Sequence, residues 1–195
     1  MTAPDRLPTS AARLLLVDYQ VGVLGGLGPA GKGLTARVAE LVSSARQIGI
    51  GILHVRTAFR PGHPEVSPGN RLFAGLAAAG RLVEGGADTA FHPDLLPAPE
   101  DVVVTKHRID PFWGTELDMV LRAGGVDALV VAGIVTSGAV LSTVRSAANR
   151  DLRVLVVGDC CADRDEEVHA TLLQRVLAMT AEVVSSGTWH EALLR

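Results

Sequence analysis

The chain has 195 residues, 48% of them hydrophobic but only 4% aromatic, and a formal net charge of -3; that is enough for one domain with a core built mainly of Leu, Val and Ala. The slight acidity and the lack of a Lys/Arg run argue against a nucleic-acid partner, and apolar runs such as 128–132 and 154–157 are far shorter than the roughly 20 residues of a membrane span. Residues 1–10 carry Pro4 and Pro8 and no apolar centre, so they read as a flexible leader ahead of a single domain, 11–195, in a cytoplasmic protein with no membrane partner.

In chain order, residues 13–17 form a short continuous run, apolar from Leu14 onward, ending at Asp18. Leu34, Val38, Leu41, Val42 and Ala45 recur at helical spacing through 34–48. Residues 49–55 are strand-like. Prolines and glycines then interrupt the pattern from 59 to 99, where long loops of the kind that cover ligand sites are expected. The β-branched run 101–105 ends at Lys106; 115–122 reads as a helix stopped by Gly124 and Gly125. A strand over 127–132, a helix over 140–150, a strand over 152–157, a helix over 165–177 and a last strand over 181–184 complete the pattern. Continuous apolar strands alternating with amphipathic helices imply a mainly parallel sheet covered on both faces. Right-handed crossovers make that a three-layer α/β/α, doubly wound, Rossmann-like fold.

Ligands of such sheets bind beyond the carboxyl ends of the strands. The sequence places Asp18, Lys106 and the turn Val135-Thr136-Ser137-Gly138-Ala139 there. An ammonium beside a carboxylate favours its charged form while burial opposes it, so the pair suits general acid or base work. A purely structural ion pair is the alternative, less favoured because the turn lies beside it. A strand-to-helix turn gathers N–H groups and a positive helix end around one point.

Arg56, Arg60 and Arg108 are candidates to clamp a carboxylate, Arg56 the best placed, against a default of solvated surface arginines. Phe112 and Trp113, just beyond Lys106, are candidates for an apolar pocket wall, or else for ordinary loop packing. Cys160 and Cys161 are adjacent, match no zinc spacing and read as small packed residues. His54 and His63 stand singly and read as structural; Asp163, Asp165 and Glu166 read as helix caps. No metal site and no cofactor are expected.

Four segments carry a resemblance. They are Leu14-Leu-Leu-Val-Asp18-Tyr-Gln20; Thr105-Lys106-His-Arg-Ile-Asp-Pro-Phe112-Trp-Gly114-Thr115-x-Leu117; Gly133-Ile-Val-Thr-Ser-Gly-Ala-Val-Leu-Ser-Thr143; and Val156-x-x-Asp159-Cys-Cys-Ala162-Asp163. Together, in this order, they resemble the motifs of the isochorismatase-like, or cysteine hydrolase, superfamily. The resemblance implies that superfamily's α/β hydrolase fold and makes Asp18 and Lys106 catalytic. It puts Gln20 in the family's first motif and a cis peptide at Val135–Thr136, and it suggests a homo-oligomer, dimer or tetramer; Gln20 thus joins Arg56, Phe112 and Trp113 as candidates to bind a small-molecule substrate.

The position where that superfamily usually has its cysteine reads Ala139 here, so no thiolate forms and a thioester route is closed. Some isochorismatases resemble this chain in having a small residue there; an acid protonates the vinyl ether carbon, water adds, and pyruvate leaves. The sequence therefore points to a metal-independent hydrolase of a small anionic molecule, such as a vinyl ether, using non-covalent acid–base catalysis. Two alternatives stay open: a catalytically silent homologue that binds a small molecule or a partner, and an amide or ester hydrolase with Ser137 as nucleophile.

Overall fold

A computed structural model describes residues 9–31 and 33–194, so the expected leader lies outside the described residues except for its last two. Six strands, β1 (Ala12–Val17), β2 (Gly51–Thr57), β3 (Val102–Lys106), β4 (Ala128–Gly133), β5 (Arg153–Val157) and β6 (Glu182–Val184), form one sheet in the order β3-β2-β1-β4-β5-β6. Every neighbouring pair is parallel. Seven α-helices accompany them: α1 (Val21–Leu24), α2 (Leu34–Gln47), α3 (Phe73–Ala78), α4 (Leu117–Ala123), α5 (Leu141–Ala148), α6 (Glu166–Thr171) and α7 (Trp189–Leu193).

The continuous apolar strands follow from burial on both faces. Along β1, Leu14 and Leu16 enter one core, with Leu34, Val38, Leu41 and Ala45 of α2 and with Trp189 and Leu193 of α7. Leu15 and Val17 enter the other, with Leu117 and Leu121 of α4 and Val144 and Ala147 of α5. Side chains alternate across a strand, so a strand covered by helices on both sides needs apolar residues at every position. The result is the three-layer α/β/α, doubly wound architecture.

The strand order reverses between β1 and β4, and that switch point is where a doubly wound sheet opens a crevice at its carboxyl edge. Gly133 lets the two strand ends come this close: a Cβ there would lie 2.9 Å from the Cβ of Val17 and 3.0 Å from its carbonyl oxygen.

Several boundaries differ from the sequence expectation. β2 covers Gly51–Thr57, not 49–55. Gly49, at φ 78, ends the turn after α2, Ile50 N–H still bonds to Ala45 O, and pairing with β3 carries the strand on until Thr57 faces Lys106. The helix expected over 165–177 is α6 followed by a wide π turn at Leu172–Val176 and a 3₁₀ turn at Leu177–Met179, which brings Leu177 into the core beside α4 and α5. The expected start at 140 is likewise a π turn over Thr136–Val140 that leads into α5. The irregular 59–99 region is a folded excursion: α3 brings Phe73 onto Phe59 and Leu82 as a satellite core. Among the described residues no helix is long and apolar enough to cross a membrane.

Candidate active site

Three strand ends converge on one buried triangle. Asp18 follows β1 directly, and its N–H bonds to the Val55 carbonyl at 2.9 Å while its φ of 62 turns the chain out of the sheet. Asp and Asn tolerate this left-handed region better than most residues. The Asp18 carboxylate is 2.8 Å from the Lys106 ammonium, with the two residues 5% and 2% exposed. Thr57 closes the triangle: its hydroxyl donates to Asp18 Oδ1 at 3.0 Å and accepts from Lys106 Nζ at 2.7 Å. Lys106 gives its third N–H to the Arg108 carbonyl at 3.2 Å.

All three donors of the ammonium are therefore used, whereas a carboxylate has about four acceptor positions and here two are occupied. Lys106 is a fixed charge; Asp18 keeps the capacity to take a hydrogen bond or a proton from a ligand.

Beside this triangle lies the turn. Ile134 N–H continues the pairing of β4 with β1, donating to Val17 O at 3.0 Å, and Thr136 N–H donates to Ala162 O at 3.0 Å; the chain redirects between them. The cis peptide is Ile134–Val135, one residue before the expected Val135–Thr136. Thr136 is buried, and its hydroxyl shares a 2.8 Å hydrogen bond with His169 Nδ1. Burial holds the His169 imidazole below its ordinary pKa against the opposing pull of Asp163 and Glu166. Ser137 is exposed, and its N–H donates to Asp163 Oδ2 at 2.6 Å. No hydrogen bond joins its hydroxyl to a histidine among the described residues, because His169 is engaged by Thr136. Asp163 is thus a brace for the turn and not a helix cap; Asp165 alone caps α6, accepting from Glu167 and Val168 N–H. Ala139 is buried, packed in the core that also holds Val17 and Phe112.

The structure redistributes the substrate candidates. Gln20 is fully buried and spends its amide on backbone, donating to Thr57 O (2.9 Å) and Thr89 O (3.0 Å) and accepting from Thr57 N–H (2.7 Å); it positions Thr57 and offers no donor to a ligand. Arg56 points away from the triangle. Leu53 and Val55 of β2 face the core that contains Ala139, so period-two alternation sends Arg56 to the other face, where its Nε bonds to Thr105 Oγ1 at 3.0 Å.

Phe112 is buried beneath the Arg150 guanidinium, 4.4 Å from the ring centre, and Trp113 next to it is 65% exposed. Trp113 borders a cleft of about 260 Å³ with Phe73, Arg108, Ile109 and Ser142. Ile109 also flanks the turn, 3.9 Å from where a Gly138 Cβ would stand. Arg108 lies over the Trp113 ring at 5.6 Å. Asp110 ties this loop to α5, accepting from Phe112 N–H at 2.9 Å and from the Ser146 hydroxyl.

Thr57 escaped the sequence reading although the rule that found Asp18 and Lys106, a polar residue ending a strand, applies to it; the misplaced end of β2 hid it. His54 and His63 have structural partners, Asp101 at 3.2 Å and the Arg81 carbonyl at 2.7 Å. Burial pushes the Cys160 thiol well above its usual range and the Cys161 thiol up to about 12. Among the described residues no group of three or more His, Cys, Asp or Glu is placed to hold a metal ion. A second cleft of about 370 Å³, lined by Asp118, Arg122, Asp127 and Arg150, lies at the opposite, amino edge of β4 and β5.

A buried carboxylate–ammonium pair at the switch point, faced by a strand-to-helix turn, marks an α/β enzyme of the doubly wound class. The isochorismatase domain family model matches residues 12–188, and the chain belongs to the isochorismatase family. It is 29% identical over 176 residues to maleamate amidohydrolase of Pseudomonas putida, covering 88% of this chain and 82% of that protein. It is 31% identical over 183 residues to the ureidoacrylate amidohydrolase RutB of Methylobacterium radiotolerans, covering 87% and 69%. Among solved structures it is similar to an isochorismatase family protein of Desulfovibrio vulgaris, with TM-score 0.85, 28% identity and coverage of 95% and 99%. N-carbamoylsarcosine amidase from Thermoplasma acidophilum gives TM-score 0.75 and 26% identity, covering 90% and 96%. Fold and family are those the motifs implied, and the named relatives are hydrolases.

Proposed function

We propose that this protein hydrolyses a small anionic organic molecule by acid–base catalysis at Asp18, with Lys106 as its electrostatic partner and no covalent enzyme intermediate. The reading rests on the closed triangle of Asp18, Thr57 and Lys106, in which the ammonium is saturated and the carboxylate is not. The substrate lies in the cleft bordered by Arg108 and Trp113, where the guanidinium supplies paired N–H donors for a carboxylate. Asp18 passes a proton to or from the reacting atoms, the fixed charge of Lys106 offsets charge that develops there, and the methyl group of Ala139 offers no nucleophile, so water is the attacking group. A vinyl ether suits this chemistry: proton to carbon, water to the resulting oxocarbenium ion, and collapse of the hemiketal to a ketone and an alcohol.

A second reading is favoured by the amidohydrolase names of the relatives. In it the bond broken is C–N, and water activated by Asp18 takes the place of the thiolate. Ser137 is the weaker nucleophile candidate, because the neighbouring histidine serves Thr136.

The test is turnover of a panel of vinyl ethers, amides and esters by wild type and Asp18→Asn. Asn keeps the shape and tolerates the φ of residue 18; with the variant's fold checked by circular dichroism, turnover falls at least about 100-fold. Unchanged turnover, or an acyl adduct on Ser137 in the intact mass, refutes the proposal. Panel-wide silence with ligands that still raise the melting temperature assigns the cleft to a binding homologue.

A further inference from the structure

The sheet has two open edges, and they are built differently. At β6 the edge is three residues long and carries Glu182, which pairs with Arg153; short, charged edges of this kind resist pairing with another chain. At β3 the edge is five residues long, and β2 is the only element packed extensively against it. Val102 and Val103 are 38% and 37% exposed, and as neighbours in a strand they lie on opposite faces. The one charge within the strand, Lys106, is turned into the triangle, so neither a charged side chain nor a proline guards this edge.

The backbone is open on the same side. Ala58 N–H bonds to Lys106 O at 3.3 Å, and Thr57 stands opposite Lys106 in the parallel register. The even-numbered residues of β3 therefore turn their N–H and C=O groups towards β2, and those of Val103 and Thr105 face outward. Among the described residues no backbone group from outside the ladder bonds to them. Unpaired backbone groups flanked by β-branched side chains are a template for one more strand.

A second copy of the same edge fits it. Antiparallel pairing about a two-fold axis at Val104 sets Val103 of each copy opposite Thr105 of the other, and each such pair exchanges two N–H···O bonds. The same alignment sets Glu100, whose side chain is 71% exposed, opposite Arg108 of the second copy. Moving the axis to Val103 would set Glu100 against Lys106, whose charge is buried and already spent on Asp18, so opposite charges select the axis at Val104. Arg108 gives one N–H to the His107 carbonyl, which leaves donors both for an acid at the rim and for a ligand in the cleft. We propose that the chain forms a two-fold dimer by antiparallel pairing of β3 with β3 of a second copy, joining the two sheets into one.

Sedimentation velocity of the full chain over a dilution series tests it. Wild type sediments as a dimer at micromolar concentration. Val103→Pro removes an outward N–H and leaves the ladder to β2 intact, as an edge strand tolerates. It weakens the dimer about tenfold or more, because one inter-strand bond is lost on each side of the axis. Val103→Lys, which puts a charge on the edge, serves in its place should the proline variant lose its native circular dichroism. Glu100→Arg sets like charges opposite one another and weakens the dimer severalfold, and combining it with Arg108→Glu restores association. A monomeric wild type, self-association unchanged in a folded Val103 variant, or a charge exchange that fails to restore the dimer overturns the proposal.

Discussion

Replacing Thr57 by valine keeps the β-branched shape in β2 and removes one oxygen. That oxygen donates to Asp18 at 3.0 Å and accepts from Lys106 at 2.7 Å. Hydrogen bonds to charged groups each contribute about 1.5–3 kcal/mol. Asp18 and Lys106 keep each other at 2.8 Å, so relaxation recovers part of the sum, leaving a net loss of about 3 kcal/mol. For a chain of this size that lowers Tm by roughly 6–12 °C. Thr57→Ser retains the hydroxyl and stays within about 1 kcal/mol of wild type. Urea unfolding followed by tryptophan fluorescence reads the difference, since the Trp189 indole is fully buried in the native fold. Adding Lys106→Met to each variant makes a double-mutant cycle in which the Thr57 effect shrinks once its ammonium partner is gone. A Thr57→Val protein as stable as Thr57→Ser, or effects of Thr57 and Lys106 that simply add, would refute the claim that the hydroxyl joins the pair into one unit.

Two further outcomes are expected. Cys160 and Cys161, both buried with raised pKa values, resist iodoacetamide at pH 8 in the native protein and are both alkylated in denaturant; rapid native labelling of either would show that a thiol is available to the chemistry after all. His169, held below its ordinary value by burial, binds fewer protons folded than unfolded, so its contribution to stability is lost as pH falls from 7 through about 6.5. The unfolding midpoint in urea drops over that window, and His169→Gln makes the drop shallower; His54, whose pKa burial also lowers, adds to the slope that remains. A steeper pH dependence in His169→Gln would reverse the sign of this assignment.

The sequence by itself determined the layers and part of the centre. Apolar residues at every position from Leu14 to Val17 in β1 and throughout β4 state that both faces of the sheet are covered, and the spacing of Leu34, Val38, Leu41 and Ala45 states which stripe of α2 faces inward. Asp18 and Lys106 were legible because each ends an apolar run, a local signal. Tertiary structure decided the rest. Pairing with β3 set the true end of β2, and with it the place of Thr57 in the triangle and of Arg56 on the opposite face. Folding turned Gln20 inward onto Thr57 and Thr89, separated buried Phe112 from exposed Trp113, and joined Thr136 to a histidine 33 residues away. Periodicity records the average environment of neighbouring residues. Which side chains meet depends on register, strand order and loop path, and these are fixed by contacts between residues far apart in the chain.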